Sequence, residues 1–214
     1  MTGQITRWWW IRHAPVVDHN GKIYGQSDIG CDVSDTQSFE GLAEKIPEGA
    51  VWVTSSLSRA IDTANAILDA GGPGPTNPDK PLVEPNFAEQ SFGDWQSHSW
   101  DDLHAAGMPE YKTFWENPGY NAPPGGESFA DLIARTRETI ERLNAEHQGR
   151  DIVAVTHGGT IRAAVALAMQ AEPLTALAVK IDNLTLTRLD HVAERLFRGQ
   201  DGVWQVCGIN LPPA

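Results

Sequence analysis

A chain of 214 residues with a formal net charge of −12 is long enough to bury a full core and too acidic to offer a basic field to nucleic acid or an anionic membrane. Two cysteines, Cys31 and Cys207, form neither a metal-type spacing nor a disulfide framework, which fits a reducing compartment. No segment reaches the roughly 18 apolar residues of a membrane span, and no leader pattern opens the chain, so a cytoplasmic protein of one domain is expected.

The first element is the apolar run Trp8 to Ile11, which gives way to Arg12 and His13 and breaks at Pro15. It reads as a strand buried on both faces that delivers a cation and an imidazole at a sheet edge, where open α/β sheets bind ligands. Residues 16–35 are rich in Asn, Gly, Asp and Ser and read as a long loop over that edge, with Tyr24, Gln26 and Ser27 as polar candidates for a pocket or as turn residues. Ser34 or Asp35 can cap a helix that Pro47 and Gly49 stop after Ile46.

Residues 50–70 repeat the strand-then-helix order. Ala50 to Val53 is the strand, Thr54 to Ser56 a turn with capping hydroxyls, and Leu57, Ala60, Ile61, Ala64, Ile67 and Leu68 an apolar helical stripe. Arg59 falls in the first turn of that helix, against the dipole preference, and a solvated surface arginine is the plain alternative. A Gly/Pro loop follows over 71–81. From Leu82 to Gly126 the periodicity is poor and aromatics are many (Phe87, Phe92, Trp95, Trp100, Tyr111, Phe114, Trp115, Tyr120). This stretch reads as a lid-like insertion with short helices near 98–106 and 109–116 and a small aromatic core.

A helix from Glu127 to Gly149 buries Phe129, Leu132, Ile133, Ile140 and Leu143. A second apolar strand, 151–156, ends in Thr156-His157, and Gly158-Gly159 open a helix to Met169. Over 179–209 the alternation of LTLTRLD, RLFRG and VWQVCGI suggests two or three partly antiparallel strands.

If His13 and His157 converge, the glycine-opened helix start at Gly158 offers N–H groups and a positive dipole end to an anion, and Arg12 and Arg59 add forks suited to phosphoryl oxygens. A histidine among such charges stays neutral and can attack phosphorus, while a carboxylic acid protonates the departing alkoxide. Glu89 is the best candidate acid, with Glu84, Asp94 and Glu127 still open. His19, His98, His104, His147 and His191 read as capping or surface groups. A zinc site of His13, His157 and an aspartate is the competing use, disfavoured by the adjacent arginines and by the absence of an HExxH or H-x-H pair.

Taken together, Arg12-His13, Ser56-x-x-Arg59-Ala60 with Thr63-Ala64, Glu89-x-x-Phe92-Gly93-x-Trp95, Gly125-Gly126-Glu127-Ser128 and Thr156-His157-Gly158-Gly159 resemble, in order, the motifs of the histidine phosphatase superfamily, the phosphoglycerate-mutase-like branch. The resemblance runs from Trp8 to about Leu189. It implies a three-layer α/β/α sandwich with a mostly parallel sheet, and a metal-free phosphomonoester hydrolase without cofactor. By the same resemblance His13 is the phosphorylated nucleophile, Arg12, Arg59 and His157 form the phosphate pocket, and Glu89 is the proton donor. One departure is Ala14, where the family has glycine; its methyl group is expected to crowd the phosphate or limit the backbone. Pro15-Val16-Val17-Asp18 lacks the Ser and Asn pattern of the mutases, so the resemblance favours a phosphatase. The Tyr24 to Asp28 segment is similar to α-ribazole phosphatases. A mutase and a catalytically weak phospho-ligand-binding module are the alternatives, and a homodimer is one option for the assembly.

Overall fold

The computed structural model describes residues 4–75, 80–193 and 203–213. Its centre is a six-stranded sheet in the order β3-β2-β4-β1-β5-β6, with β1 Ile5–Arg12, β2 Val51–Thr54, β3 Leu82–Val83, β4 Asp151–Thr156, β5 Leu186–Val192 and β6 Val203–Leu211. The first four in that order run parallel, and β5 and β6 are antiparallel additions. β5 and β6 carry the expected LTLTRLD and VWQVCGI alternation; RLFRG lies outside the described residues.

Strand periodicity explains the tryptophan run. Trp8 and Trp10 point to one face, stack at 4.8 Å and are fully buried, while Trp9 turns to the other, where the Arg188 guanidinium lies 4.4 Å from its ring. Helices cover both faces. On the Trp9 side lie α1 (Thr36–Lys45) and α2 (Ser58–Asp69), burying Phe39, Leu42, Ala64 and Ile67 against Ile11, Trp52, Val153 and Val155. On the Trp8 side lie α5 (Phe129–Glu146) and α6 (Gly158–Met169), burying Ile140, Leu143, Ile161 and Val165. The result is the three-layer α/β sandwich with a mostly parallel sheet.

Capping sets the helix starts. Asp35 accepts from the Ser38 N–H to begin α1, and Ser128 with Asp131 forms a reciprocal capping box on α5. At α2 the expected hydroxyl cap is absent: Leu57 occupies the N-cap position, and Asp28 Oδ1 from the long loop accepts from Ser58 N (2.8 Å) and Ser58 Oγ (2.7 Å) instead. A carboxylate thus meets the positive end of the helix, and the loop is tied to it.

The cover over the sheet edge contains α3 (Trp100–Ala106) and α4 (Pro109–Glu116), close to the predicted ranges. Its own small core is Ile23, Trp95, Leu103 and Phe114, flanked by Phe92, Trp100, Met108 and Tyr111. Two aromatics belong elsewhere. Phe87 is fully buried in the main core, edge-on to Trp10 at 5.2 Å, and Tyr120 is exposed with its hydroxyl donating to Glu172. Leu82 and Val83 pair with β2, so the start of the supposed insertion is an edge strand. A two-residue strand and the short α7 (Pro173–Leu177) are too brief for periodicity to register.

Candidate active site

Register brings the two histidine-bearing strand ends together. Arg12 of β1 pairs with Thr156 of β4, so His13 and His157 leave the sheet side by side, each one residue past its strand. Their ring centroids are 5.1 Å apart at an interplanar angle of 56°, and both side chains are fully buried. The His13 backbone is held from two directions, its N–H donating to Thr156 O (2.8 Å) and its carbonyl accepting from Asn183 Nδ2 (2.7 Å).

A carbonyl oxygen can only accept, and that of Ala14 lies 2.6 Å from His13 Nδ1. Nδ1 therefore carries the proton, and Nε2 is left with its lone pair. Nε2 is buried and has no hydrogen-bond partner among the described residues. Burial above all pushes the His13 pKa from 6.5 down to about 3; the bond to Ala14 opposes this, while Arg59 and Arg12 add to it. The methyl group of Ala14 does not face the site. It belongs to the core with Ile11, Phe39 and Leu42, and the Ala14 N–H donates to Thr63 Oγ1 (2.9 Å). The expected crowding therefore does not arise from this residue, and its φ is not positive, so the backbone does not require glycine.

His157 lies between two partners: Nδ1 accepts from Arg59 Nε (3.3 Å), which places the proton on Nε2, 2.7 Å from Ser55 Oγ. Its pKa is pushed well below 6.5, first by burial and then by His13, Arg59, Arg12 and Arg135. Arg59 is no surface arginine. It is fully buried on the first turn of α2, with Nη1 donating to Ser27 O (2.8 Å) and Nη2 to Gly25 O (2.6 Å), and its guanidinium sits 5.0 Å from the Tyr24 ring centroid. Arg12 Nη1 donates to Ile181 O (2.6 Å), while its Nε is buried without a partner among the described residues.

Of the four carboxylates weighed as the acid, Glu89 reaches the first turn of α6: Oε2 accepts from Gly159 N (3.1 Å) and Oε1 from its neighbour Gln90 N (2.8 Å). The others are occupied or remote. Glu127 pairs with Arg135 (2.7 Å) and accepts from Ser91 N, Glu84 pairs with Arg142 (2.6 Å), and Asp94 is exposed beside Gly125. The Glu89 carbonyl is clamped by Gln26 Nε2 and Arg135 Nη2, both at 2.9 Å. Tyr24, Gln26 and Ser27 thus support Arg59 and Glu89, with Ser27 Oγ also accepting from Gln96 Nε2 (3.2 Å). Gly158 stands at the helix start next to Arg12.

Three neighbours escaped the sequence reading, Ser55, Asn183 and Arg162, and Thr63 was named in a motif without a role. The spacings could have shown two of them, since Thr63 is one helical turn from Arg59 and Arg162 one turn from Gly158. Among the described residues no group of three or more His, Cys, Asp or Glu is arranged to hold a metal ion, so the zinc arrangement has no third ligand there. The remaining histidines are peripheral; His147, for instance, caps the C-terminus of α5, and His191 lies against Trp204. No helix among the described residues is long and apolar enough to cross a membrane.

Comparison with known proteins gives the family of the chain. The profile of the histidine phosphatase superfamily (branch 1) matches residues 8–198. Phosphoglycerate mutase-like protein 4 of Arabidopsis thaliana is 30% identical over 191 residues, 87% of this chain and 77% of the relative. Glucosyl-3-phosphoglycerate phosphatase of Mycolicibacterium vanbaalenii is 31% identical over 170 residues, 73% and 71% of the two chains. The solved α-ribazole phosphatase of Shigella flexneri shares the fold, with a TM-score of 0.76 at 20% identity over 95% of this chain and 96% of its own. The two buried histidines and their arginines thus sit on a chain that belongs to the histidine phosphatase superfamily, branch 1.

Proposed function

We propose that this chain is a metal-independent phosphomonoester hydrolase that works through a phosphohistidine on His13. The observation that carries the reading is His13 Nε2: a neutral imidazole nitrogen, its lone pair fixed by the Ala14 carbonyl, buried and without a partner among the described residues, beside a second imidazole and two arginines. Arg12, Arg59 and the α6 start at Gly158 receive the phosphoryl oxygens, where donors and dipole are already oriented before substrate arrives.

Nε2 attacks phosphorus as the ester P–O bond breaks, and Glu89 in its acid form gives its proton to the departing oxygen. Glu89 then takes a proton from water, the resulting hydroxide attacks phosphorus, and the P–N bond breaks to release phosphate and neutral His13. His157 remains neutral throughout, which allows it to accept from Arg59 and to steady that guanidinium. The cover built around Trp95 and Phe114 acts as the lid that selects the alcohol part.

Relatives named as mutase-like and as a phosphatase fit either transfer to water or transfer to a second substrate. The exposed Val17 just past the nucleophile offers no polar group for a second phosphoryl group, which favours water as acceptor. A panel of phosphomonoesters that includes α-ribazole phosphate tests the substrate. The mechanism is tested with a radiolabelled phosphomonoester and an acid- or base-quenched phosphoenzyme: an acid-labile, base-stable label that vanishes in His13→Ala is expected. Turnover by His13→Ala, or an acid-stable label, overturns the proposal.

A further inference from the structure

Arg12 and His13 are both held by one turn, and that turn is itself held from the last strand of the chain. Between α7 and β5, Ile181 O accepts from Arg12 Nη1 (2.6 Å), Asn183 Nδ2 donates to His13 O (2.7 Å) and Leu184 N donates to Arg12 O (3.1 Å). The same short segment thus fixes the guanidinium and the backbone on both sides of the proposed nucleophile. This grip needs an unusual conformation. Leu184, packed in the core with Ile11 and Ala14, has φ +55, a left-handed backbone that leucine seldom adopts and that persists only where its surroundings hold it.

Asn210 supplies that hold. Between the pairs Leu186 with Leu211 and Arg188 with Gly208, β5 has Thr187 alone while β6 has Ile209 and Asn210, so the last strand bulges here. Asn210 sits in the bulge at φ +56, which asparagine tolerates, and its N–H donates to Thr187 Oγ1 (3.2 Å). Its side chain reaches the turn: Oδ1 accepts from Asp182 N (2.6 Å) and lies 2.9 Å from Thr185 Oγ1, and Nδ2 donates to Asp182 Oδ2 (2.9 Å). The Asp182 carboxyl is held below the usual carboxylate range by its bonds to Asn210 and Lys180, so it accepts, while the Asp182 N–H can only donate. A single orientation of the amide satisfies both.

Asp182 stands in the chain between Ile181 and Asn183, the two residues that reach the site, so its placement sets theirs. Without the amide Asp182 is free to shift, and the Ile181 carbonyl and the Asn183 side chain shift with it. The bulge gives up regular pairing in β6, and the contacts made in exchange lie one residue from those that hold Arg12 and His13. We propose that Asn210 is a positioning residue: from the last strand it holds the 181–185 turn so that Arg12 and the His13 backbone stay in place for the phosphoryl group. The inference rests on the hydrolase reading and adds to it a residue that touches neither substrate nor nucleophile.

The test compares wild type with Asn210→Gly, which permits the same backbone and removes the amide, at a temperature where circular dichroism shows both folded. kcat/KM on an alkyl phosphate and on p-nitrophenyl phosphate is expected to fall about ten- to hundredfold. The factor should be the same for both, because nucleophile and phosphate pocket serve both esters, and inhibition by inorganic phosphate should weaken with it. Asn210→Asp sets two carboxylates against each other where the 2.9 Å bond now stands and is expected to lose at least as much. The reciprocal pair, Asn210→Asp with Asp182→Asn, exchanges donor and acceptor and is expected to regain most of the loss. An amide with a structural role alone would lower the melting temperature and leave these rates unchanged. Wild-type kcat/KM in folded Asn210→Gly therefore overturns the inference, as does a reciprocal pair no better than Asn210→Asp. If the glycine variant does not fold, the aspartate variant and the reciprocal pair decide. Failure of the hydrolase reading itself looks different: wild type then turns over neither ester.

Discussion

Gly158 and Gly159 are adjacent, yet the structure demands opposite responses to a single methyl group. An alanine Cβ at 159 would stand 2.1 Å from Glu89 Oε1 and 3.1 Å from Leu132 Cδ2. Comfortable contact needs about 3.5 Å, so the carboxylate must retreat by more than about 1 Å and give up its bond to the Gly159 N–H. A misplacement of that size costs roughly a hundredfold in rate. At 158 the Cβ meets Arg12 Nε at 3.4 Å and Arg162 Nη1 at 3.5 Å, which is ordinary contact. Neither position has a positive φ, so alanine suits the helix and favours it by up to about 1 kcal/mol. The assay is kcat on an alkyl phosphate and on p-nitrophenyl phosphate, whose leaving group departs with little need of a proton. Gly159→Ala is expected to lose about a hundredfold on the alkyl ester and under about tenfold on the aryl ester, with its melting temperature retained. Gly158→Ala is expected to show no such split. Equal losses on both esters in Gly159→Ala, or none, would refute Glu89 as the proton donor placed by this glycine.

His13 makes stability acid-sensitive. Its folded pKa of about 3 lies below the unfolded 6.5, so the unfolded chain binds the proton first as pH falls. Stability is full above about pH 6.5 and declines toward pH 3 by up to roughly 5 kcal/mol, at about 1.4 kcal/mol per pH unit. Urea midpoints measured over this window should fall more steeply for wild type than for His13→Gln; parallel curves would refute the burial argument. Thr63 Oγ1 accepts from Ala14 N, so Thr63→Val leaves that buried N–H beside the site unpaired and should cost about 1 to 3 kcal/mol in urea denaturation and lower turnover. Phe87→Ala removes a fully buried ring from between Trp8, Trp10 and α5 and should cost about 3 to 5 kcal/mol in the same assay.

The sandwich was legible in the chain because its elements announce themselves through period and punctuation. Two apolar runs ending in histidine specify two strands, and the register of Arg12 with Thr156 then makes the histidines neighbours. What sequence spacing left open was which carboxylate joins them. Glu84, Glu89, Asp94 and Glu127 lie within one stretch, and the choice is made by tertiary partners: Arg142 and Arg135 claim two of them, and α6 receives Glu89. The nearness of Arg162 to Arg12 was hidden for a similar reason, since it depends on the carbonyls of Val179 and Ile181, away from both in the chain. The cap of α2 was misread because its acceptor, Asp28, comes from a loop about thirty positions away.

The charge state of the hollow follows from which groups can shed a proton. Arginine cannot do so in the working range, and the buried Arg59 with the half-buried Arg12 and Arg162 near the start of α6 leaves a fixed positive field. The imidazoles can, and burial above all, with that field adding to it, makes them do so: His13 is neutral above about pH 3, and His157 is held neutral with it. Burial beside fixed cations thereby leaves His13 with a free nitrogen lone pair at neutral pH, the form the proposed nucleophile requires. Acid therefore reaches His13 chiefly by unfolding the chain, since the folded imidazole stays neutral down to about pH 3 while the unfolded one takes a proton near 6.5.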